Sequence, residues 1–241
     1  MKKFQLIFTQ WTGFALLLAM LQSCIFIDGN TRLDPQDPDN ETFNLRDFDQ
    51  LEMGSAFNVR VRQSGQFSVF VRGDRRDIRD LEAFVDRSGK LVVRYRNYRI
   101  RRYDMDIDIT MPVLRGVDFS GATKSTIEGF TNTRELDNEL SGASKSTIDG
   151  DWERVSIDLS GASNLTLHGQ GVSLVGDLSG ASKLNAFDYA VDEADLELSG
   201  GSNAHVLVDR LLKVDASGGS SLRSRGNPEV RPGISGGSTL N

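Results

Sequence analysis

The stretch Leu140-Ser-Gly-Ala-Ser-Lys-Ser-Thr-Ile148 contains one copy of the motif that decides the fold of this chain. The motif is Ser-Gly, then Ala or Gly, then Ser or Thr. Its seven copies begin at Ser120, Ser141, Ser160, Ser179, Ser199, Ser217 and Ser235. Successive copies are 21, 19, 19, 20, 18 and 18 residues apart. A period of about 20 residues is typical of solenoid proteins, in which each coil buries its apolar face against its neighbours.

Apolar and polar residues alternate on both sides of the motif. Before the serine of the third copy, Val155, Ile157 and Leu159 alternate with Ser156 and Asp158. The residues directly before the seven serines are Phe119, Leu140, Leu159, Leu178, Leu198, Ala216 and Ile234. Five residues after the first six serines stand Ser125, Ser146, Leu165, Leu184, Ala204 and Leu222. A period of two predicts strands with one buried face, so each unit is strand, glycine corner, strand and turn.

Strands that recur at the same phase in every coil stack in parallel on one another. Because parallel crossovers are almost always right-handed, we expect an all-β, right-handed parallel β-helix of about six coils, each of 18–21 residues. Glycine suits the corner since it adopts positive φ at little steric cost. The small residues beside it allow close stacking, and their hydroxyls can hydrogen-bond along the stack. Seven equivalent serines outside a Gly-x-Ser-x-Gly motif indicate a structural role rather than a nucleophile.

The front of the chain has the pattern of an exported lipoprotein. Residues 1–23 combine Lys2 and Lys3 with an apolar run, which is typical of a signal peptide. The segment Leu21-Gln-Ser-Cys24 resembles a bacterial lipobox, so we predict that Cys24 is lipidated and anchors the protein to a membrane. The alternative is a signal peptide cleaved elsewhere, which leaves Cys24 as a free thiol. Cys24 is the only cysteine, so an intrachain disulfide is excluded.

Residues 24–42 are predicted to be an acidic, flexible tether. The segment holds two prolines and too little apolar surface to fold. Its acidic residues are Asp28, Asp34, Asp37, Asp39 and Glu41. A cell-envelope location on the outer membrane follows from the lipid anchor, and both orientations, surface-exposed and periplasm-facing, stay open.

Residues 43–116 are predicted to form an N-terminal, β-rich half, and residues 117–241 the repeat β-helix. Short alternating segments such as 57–62 and 105–110 predict strands, while 77–85 fits one or two helical turns. Residues 43–115 carry 15 Lys and Arg against 11 Asp and Glu, whereas residues 116–241 carry 10 against 18. The densest basic run, Arg94–Arg102, is interpreted as a solvated hairpin whose arginines face the acidic repeat. An anionic glycan or lipid headgroup is the alternative partner, and nucleic acid is not expected for an exported, acidic chain.

The order of segments in residues 43–241 resembles the head GIN domain family, the DUF2807 group. The resemblance rests on Phe57-Asn-Val-Arg-Val-Arg-Gln-Ser-Gly65, Gly89-Lys-Leu-Val-Val93, Ile107-Asp-Ile-Thr-Met-Pro112 and the Ser-Gly repeats that follow them. The family consists of β-helical envelope lipoproteins described as adhesins of the auto-transporter type. The resemblance therefore implies fold and location, and it implies no catalytic residue.

One acidic residue stands two positions before each of the first six repeat serines. These residues are Asp118, Glu139, Asp158, Asp177, Glu197 and Asp215. In stacked coils they form one row, and exposed carboxylates there can fan apart or be neutralised by Lys124, Lys145 and Lys183. The alternative is that the row binds Ca²⁺ or a cationic partner, because Ca²⁺ prefers six to eight oxygen ligands.

The chain is predicted not to be an enzyme and to need no cofactor or metal. Some β-helices act on polysaccharides, but the nearly constant coil length here leaves no insertions to build a cleft. His168 and His205 lie in different rows, which argues against a metal pair. We expect a non-catalytic, lipid-anchored envelope protein that binds a glycan or a protein. The alternatives are a periplasmic structural or assembly component and, less expected, a polysaccharide-active enzyme.

The seventh copy, Ser235-Gly-Gly-Ser-Thr-Leu240, has no polar cap after it in this sequence. An uncapped coil leaves an open strand edge, and such edges pair with other chains. A homodimer through the C-terminal coil is therefore the expectation, unless this short glycine-rich strand is frayed.

Overall fold

The structure, a computed structural model, describes residues 34–97 and 103–241. Residues 34–241 form one compact unit. In the described part of the chain there is one short helix, α1 (Arg75–Ile78), and every strand belongs to one hydrogen-bonded sheet. The strands are β1 (Pro38–Phe43), β2 (Gln50–Met53), β3 (Asn58–Gln63), β4 (Ser68–Asp74), β5 (Leu81–Val85), β6 (Lys90–Tyr95), β7 (Asp106–Met111), β8 (Gly116–Phe119), β9 (Lys124–Leu140), β10 (Lys145–Leu159), β11 (Asn164–Gln170), β12 (Ser173–Leu178), β13 (Lys183–Leu198), β14 (Asn203–Ala216), β15 (Ser221–Arg225), β16 (Glu229–Ile234) and β17 (Thr239–Leu240).

Two parallel ladders meet at the Ser-Gly corners. Ladder A contains the strands that end at a corner, in the order β6, β2, β8, the ends of β9 and β10, β12, the ends of β13 and β14, and β16. Ladder B contains the strands that follow a corner, in the order β7, β3, the starts of β9 and β10, β11, the starts of β13 and β14, β15, and β17. This arrangement is a β-solenoid of about six turns, which confirms the predicted parallel β-helix.

The residues directly before the repeat serines form an apolar column inside the helix. Leu140 pairs with Leu159, Leu159 with Leu178, and Leu178 with Leu198. All four side chains are buried. Burying a leucine side chain stabilises a fold by roughly 1.5–3 kcal/mol, so the column accounts for much of the coil-to-coil stability. The predicted inward row is confirmed along these coils.

The corner glycines satisfy two constraints at once. Gly161 has a φ of 70°, in the left-handed region. A Cβ atom at Gly161 would lie 2.5 Å from the carbonyl oxygen of Gly142 in the preceding coil. That same oxygen accepts a 2.7 Å hydrogen bond from the Ala162 N–H, so the backbones must approach closely. Any side chain at this position would both strain the backbone and separate the coils.

The predicted hydroxyl ladder forms only in part. Ser125 and Ser146 are joined by a 2.7 Å hydrogen bond along the stack. Ser144, in contrast, donates to the carbonyl oxygen of Ser141 within its own corner. The hydroxyls of Ser163 and Ser182 have no partner among the described atoms. The corner carbonyl competes with the neighbouring coil for these buried hydroxyls, so a serine row does not guarantee a continuous chain of bonds.

The N-terminal half is continuous with the β-helix, although its coils are not stacked in chain order. Strands β2 and β3 lie between β6–β7 on one side and β8–β9 on the other. Met53 at the end of β2 pairs with Phe119 at the end of β8. The predicted division between residues 116 and 117 therefore falls inside one sheet.

Antiparallel strands and the helix cover the N-terminal end of the solenoid. Strand β4 pairs with β7, β1 pairs with β4, and β5 pairs with β6, all antiparallel. Strand β1 begins at Pro38, so the predicted end of the tether at residue 42 is wrong. Strand β1 forms hydrogen bonds with the edge of β4, and Phe43 packs against the core. Residues 75–78 form the one helical turn, and most of the segment in which one or two turns were expected is strand β5.

Candidate functional site

Several predicted functional residues lie outside the described residues. Cys24, the signal peptide and the start of the tether do, as do Arg99, Arg101 and Arg102 of the basic run. Arg94 is described, and its guanidinium pairs at 3.0 Å with Glu82 in its own hairpin rather than with the acidic repeat. The described helix, α1, is too short to cross a membrane.

The acidic residues before the repeat serines form a single column on the outer face of ladder A, as predicted. Each one is the register partner of the next, from Asp118 to Asp215. The structure adds Glu52, which pairs with Asp118 and was not predicted. The coil of Glu52 turns at Gly54-Ser55-Ala56, which does not match the Ser-Gly motif, so the motif alignment missed Glu52. The alternation of residues 50–53 could have identified it. The carboxylate column is therefore Glu52, Asp118, Glu139, Asp158, Asp177, Glu197 and Asp215.

Electrostatic repulsion is concentrated at the N-terminal end of the carboxylate column. Burial raises the pKa of Asp118, and the neighbouring Glu52 carboxylate raises it further. The charge of Asp118 is in turn the main cause that raises the pKa of Glu139. Lys90 Nζ lies 3.2 Å from Glu52 Oε2 and partly offsets this charge. The carboxylates at this end of the column therefore still repel one another, since separation of their side chains does not remove the effect on the pKa of Asp118 and Glu139.

Two shallow grooves follow the carboxylate column. One, of about 400 Å³, lies beside Asp118, Glu139 and Asp158, and another, of about 280 Å³, lies beside Glu197 and Asp215. The carboxylates stand in a line at strand spacing, about 4.8 Å, so they do not converge on one point. Within residues 34–97 and 103–241 no group of three or more His, Cys, Asp or Glu is arranged to hold a metal ion. The geometry favours an acidic surface over a chelating site.

The two histidines occupy separate environments. His168 Nδ1 lies 3.8 Å from Asp188 Oδ2. His205 stacks on the Phe187 ring, with centroids 4.8 Å apart and planes 7° from parallel. Because each has a different neighbour, the structure does not bring them together as ligands or as an acid–base pair. Five of the fourth-position serines of the motif, Ser144, Ser163, Ser182, Ser202 and Ser220, are buried and out of reach of a substrate.

In the part of the chain that the structure describes, ladder A ends at β16, and the free edge of β16 has features that oppose strand pairing. Ile234 is 42% exposed, whereas its register partner Ala216 is buried. Ser235 N–H donates to Ala216 O, so the N–H groups of residues 230, 232 and 234 point to the open side. Residue 232 is a proline, which removes the central donor of that edge. Proline in an edge strand is a known protection against edge-to-edge association.

Known structures share this architecture. The fold matches a "putative adhesin" from Bacteroides fragilis with a TM-score of 0.76 and 19% identity, over 86% of this chain and 94% of that one. It matches a "putative lipid binding protein" from Parabacteroides distasonis with a TM-score of 0.69 and 16% identity, over 88% and 99%. A "putative adhesin" from Parabacteroides merdae matches with a TM-score of 0.65 and 15% identity, over 87% and 98%. At these identities the likeness establishes the fold alone.

Sequence comparison assigns the family. No curated protein sequence matches this chain significantly. A family model described as "Putative auto-transporter adhesin, head GIN domain" matches residues 47–228, which include β2 through β15. The match covers most of the chain and agrees with the segments that carried the resemblance. The chain therefore belongs to the DUF2807 family, the head GIN domain family of adhesin-like proteins.

Proposed function

We propose that this chain is a non-catalytic, lipid-anchored protein of the cell envelope that presents its β-helix as a binding surface, in the manner of an adhesin. The observation that carries the proposal is the parallel pairing of the two ladders from β8 to β17, in register on both sides of the Ser-Gly corners, which leaves the outer strand faces as the main surface. The grooves on these faces are shallow and open, which suits an extended ligand better than a sequestered reaction. Family membership supports the same role.

The proposed anchor is a lipid on Cys24. Pro38, the first residue of β1, lies 14 positions after Cys24. A fully extended segment of that length spans at most about 50 Å, so lipidation would keep the β-helix close to a membrane surface. Metabolic labelling of the full chain with an alkyne fatty acid tests this step. Labelling that disappears in Cys24→Ser supports the anchor, and equal labelling of the variant contradicts it.

Display of the domain on the cell surface is tested by protease treatment of intact cells. Cleavage of the β-helix in intact cells supports the adhesin role. Protection in intact cells, with cleavage after lysis, supports the alternative, a structural or assembly component inside the periplasm. Turnover of a polysaccharide by the purified protein would contradict the non-catalytic proposal.

The C-terminal homodimer remains a prediction with an obstacle at Pro232. An exposed apolar residue such as Ile234 favours association, whereas the missing N–H of Pro232 weakens strand pairing across that edge. Light scattering across a hundredfold range of concentration decides the question. A mass that doubles with concentration supports the dimer, and a constant monomer mass contradicts it.

A further inference from the structure

A small basic patch interrupts the acidic half of the molecule near its C-terminal end. It consists of His205, Arg223 and Arg225, on the outer face of ladder B. His205 on β14 is the register partner of Arg223 on β15. Arg223 and Arg225 alternate with the buried Leu222 and the partly buried Ser224, so both arginines project from the same face. Their Cα atoms are therefore about 6.7 Å apart along the strand.

The basic patch is held in place by ring contacts. The Arg225 guanidinium lies 4.0 Å from the centroid of the Phe187 ring. Phe187 also stacks on His205, nearly parallel. Cation–π attraction and stacking restrict the rotamers of both side chains. Arg225 and His205 are thus restricted before any ligand arrives, which reduces the entropy lost on binding.

Among residues 34–97 and 103–241, the two arginines of the basic patch have no acidic partner, although this part of the chain is rich in acids. Arg210 pairs with Glu193 at 2.6 Å, and Lys213 pairs with Asp195 at 3.5 Å. Within the described part of the chain, neither Arg223 nor Arg225 lies within 4.0 Å of a carboxylate oxygen of Asp or Glu. This is notable because residues 116–241 hold 18 Asp and Glu against 10 Lys and Arg. Guanidinium groups bind oxyanions such as carboxylate through two parallel hydrogen bonds, so the two arginines can bind an anion in this way.

The side chains around the basic patch and the charge of residues 116–241 indicate which class of anion the patch can bind. Asn185 is the exposed register partner of His205. The Asn203 amide is already engaged, since its Nδ2 donates to the carbonyl oxygen of Gly201 and its Oδ1 accepts from the Ser221 hydroxyl. An exposed amide such as that of Asn185 hydrogen-bonds to sugar hydroxyls. The acidic field of residues 116–241 repels a densely charged polyanion at long range, which disfavours nucleic acid. A glycan whose carboxylates are separated by neutral sugars satisfies both conditions.

We propose that the basic patch binds an anionic saccharide, with a uronate carboxylate against Arg223 and Arg225 and the adjacent neutral sugar against Asn185. The inference names the ligand class for the binding role proposed above and rests on that role. The basic patch is distinct in sequence from the basic run of residues 94–102, for which an anionic glycan is the alternative partner expected from the sequence.

The test is calorimetric titration of residues 34–241, the compact unit, with three probes. The probes are a hyaluronan octasaccharide, in which glucuronate alternates with a neutral sugar, its carboxyl-reduced form, and sodium sulfate. We expect hyaluronan to bind, the reduced form to bind at least about tenfold more weakly, and affinity to fall as salt rises. The double variant R223Q/R225Q should lose about tenfold or more, and R225K should retain part of the binding. Arg154→Gln, an exposed arginine at the start of the ladder A portion of β10, should bind as the wild type does.

Thermal melts of each variant confirm that the fold is intact. Equal binding by R223Q/R225Q and the wild type overturns the proposal. So does binding of sulfate with no binding of hyaluronan, because the patch would then be a site for free anions only. Fatty-acid labelling and protease treatment of cells are independent of these titrations, so a failed glycan site leaves the proposed envelope role standing.

Discussion

The hydroxyl of Tyr189 donates a 3.1 Å hydrogen bond to the carbonyl oxygen of Trp152, two coils earlier in the β-helix. The bond passes Gly171 in the intervening coil, where a Cβ atom would lie 2.7 Å from the Tyr189 hydroxyl oxygen. Trp152 Nε1 donates in turn to the carbonyl oxygen of Leu114, at 3.2 Å. Buried aromatic side chains therefore tie together coils that do not touch along the ladders.

Tyr189→Phe should lower the free energy of unfolding by about 1–2 kcal/mol, because the buried carbonyl oxygen of Trp152 loses this side-chain donor. Burial raises the pKa of Tyr189 to about 12, so the hydroxyl is protonated and remains a donor at neutral pH. Urea unfolding followed by circular dichroism measures the change. Tyr103→Phe, at a partly exposed position, should change stability by less than about 0.5 kcal/mol. Equal effects of the two substitutions would contradict the role of the Tyr189–Trp152 bond.

Asn138→Val should stabilise the protein by about 1–3 kcal/mol. Asn138 is buried between its register partners Val117 and Ile157, and neither polar atom of its side chain has a hydrogen-bond partner among the described residues. An unsatisfied buried amide carries its full desolvation penalty, which an apolar side chain removes. The midpoint of urea unfolding is the measurement, with Thr147→Val on the outer face of β10 as the control. A lower midpoint for Asn138→Val would show that the amide makes a stabilising interaction.

Asp118→Asn should raise the melting temperature at pH 7 and have a smaller effect near pH 4. The folded protein raises the pKa of Asp118, so the folded state binds its proton more readily than the unfolded state does. The resulting destabilisation is fully present above the raised pKa and disappears as the pH falls below the ordinary value of 3.8. The same substitution should also lower the pKa of Glu139, since the Asp118 charge is the main cause of its rise.

Calorimetry of Asp118→Asn and of the wild type at several pH values between 4 and 7 measures this dependence. Asp137→Asn removes a carboxylate from the same face outside the carboxylate column and serves as the control. A stabilisation by Asp118→Asn that does not change with pH would contradict the electrostatic explanation.

Gly161→Ala should destabilise the protein by more than about 2 kcal/mol. Alanine in the left-handed region costs about 1–2 kcal/mol, and its Cβ would also collide with the Gly142 carbonyl oxygen. Gly65→Ala is the matched control, because no atom lies within 4 Å of a Cβ placed there. Thermal unfolding of both variants tests the stacking of the corners. If Gly161→Ala is tolerated as well as Gly65→Ala, the corners are not in close contact.

The repeat half of the fold was predictable because each coil contains one Ser-Gly motif, which fixes the alignment of that coil with its neighbours. The Ser-Gly corner aligns Leu140, Leu159 and Leu178, and the same alignment places Asp118 to Asp215 in one column. The N-terminal half contains no such motif. Pairing of β2 with β8 joins residues about 66 positions apart, and the alternation within β2 is equally compatible with other neighbours.

The basic patch could not be predicted from the sequence, because a register shift lies beside Phe187. Phe187 lies where the register between β13 and β14 shifts, between Ala186 and Ala190. A constant 18–21 residue period therefore does not place Phe187 beside His205 or Arg225. The edge protection by Pro232 was likewise invisible until the Ser235 N–H bond showed which side of β16 faces open space.

The distance between nitroxide labels at positions 124 and 239 tests the stacked register most directly. Six register steps separate Lys124 from Thr239 along the outer face of ladder B. Residues 34–241 contain no native cysteine, so cysteines introduced at these two positions are the sole attachment points. At strand spacing the account predicts a narrow distribution of distances centred at about 29 Å by double electron–electron resonance. A broad distribution, or a centre beyond about 45 Å, would contradict a continuous β-helix.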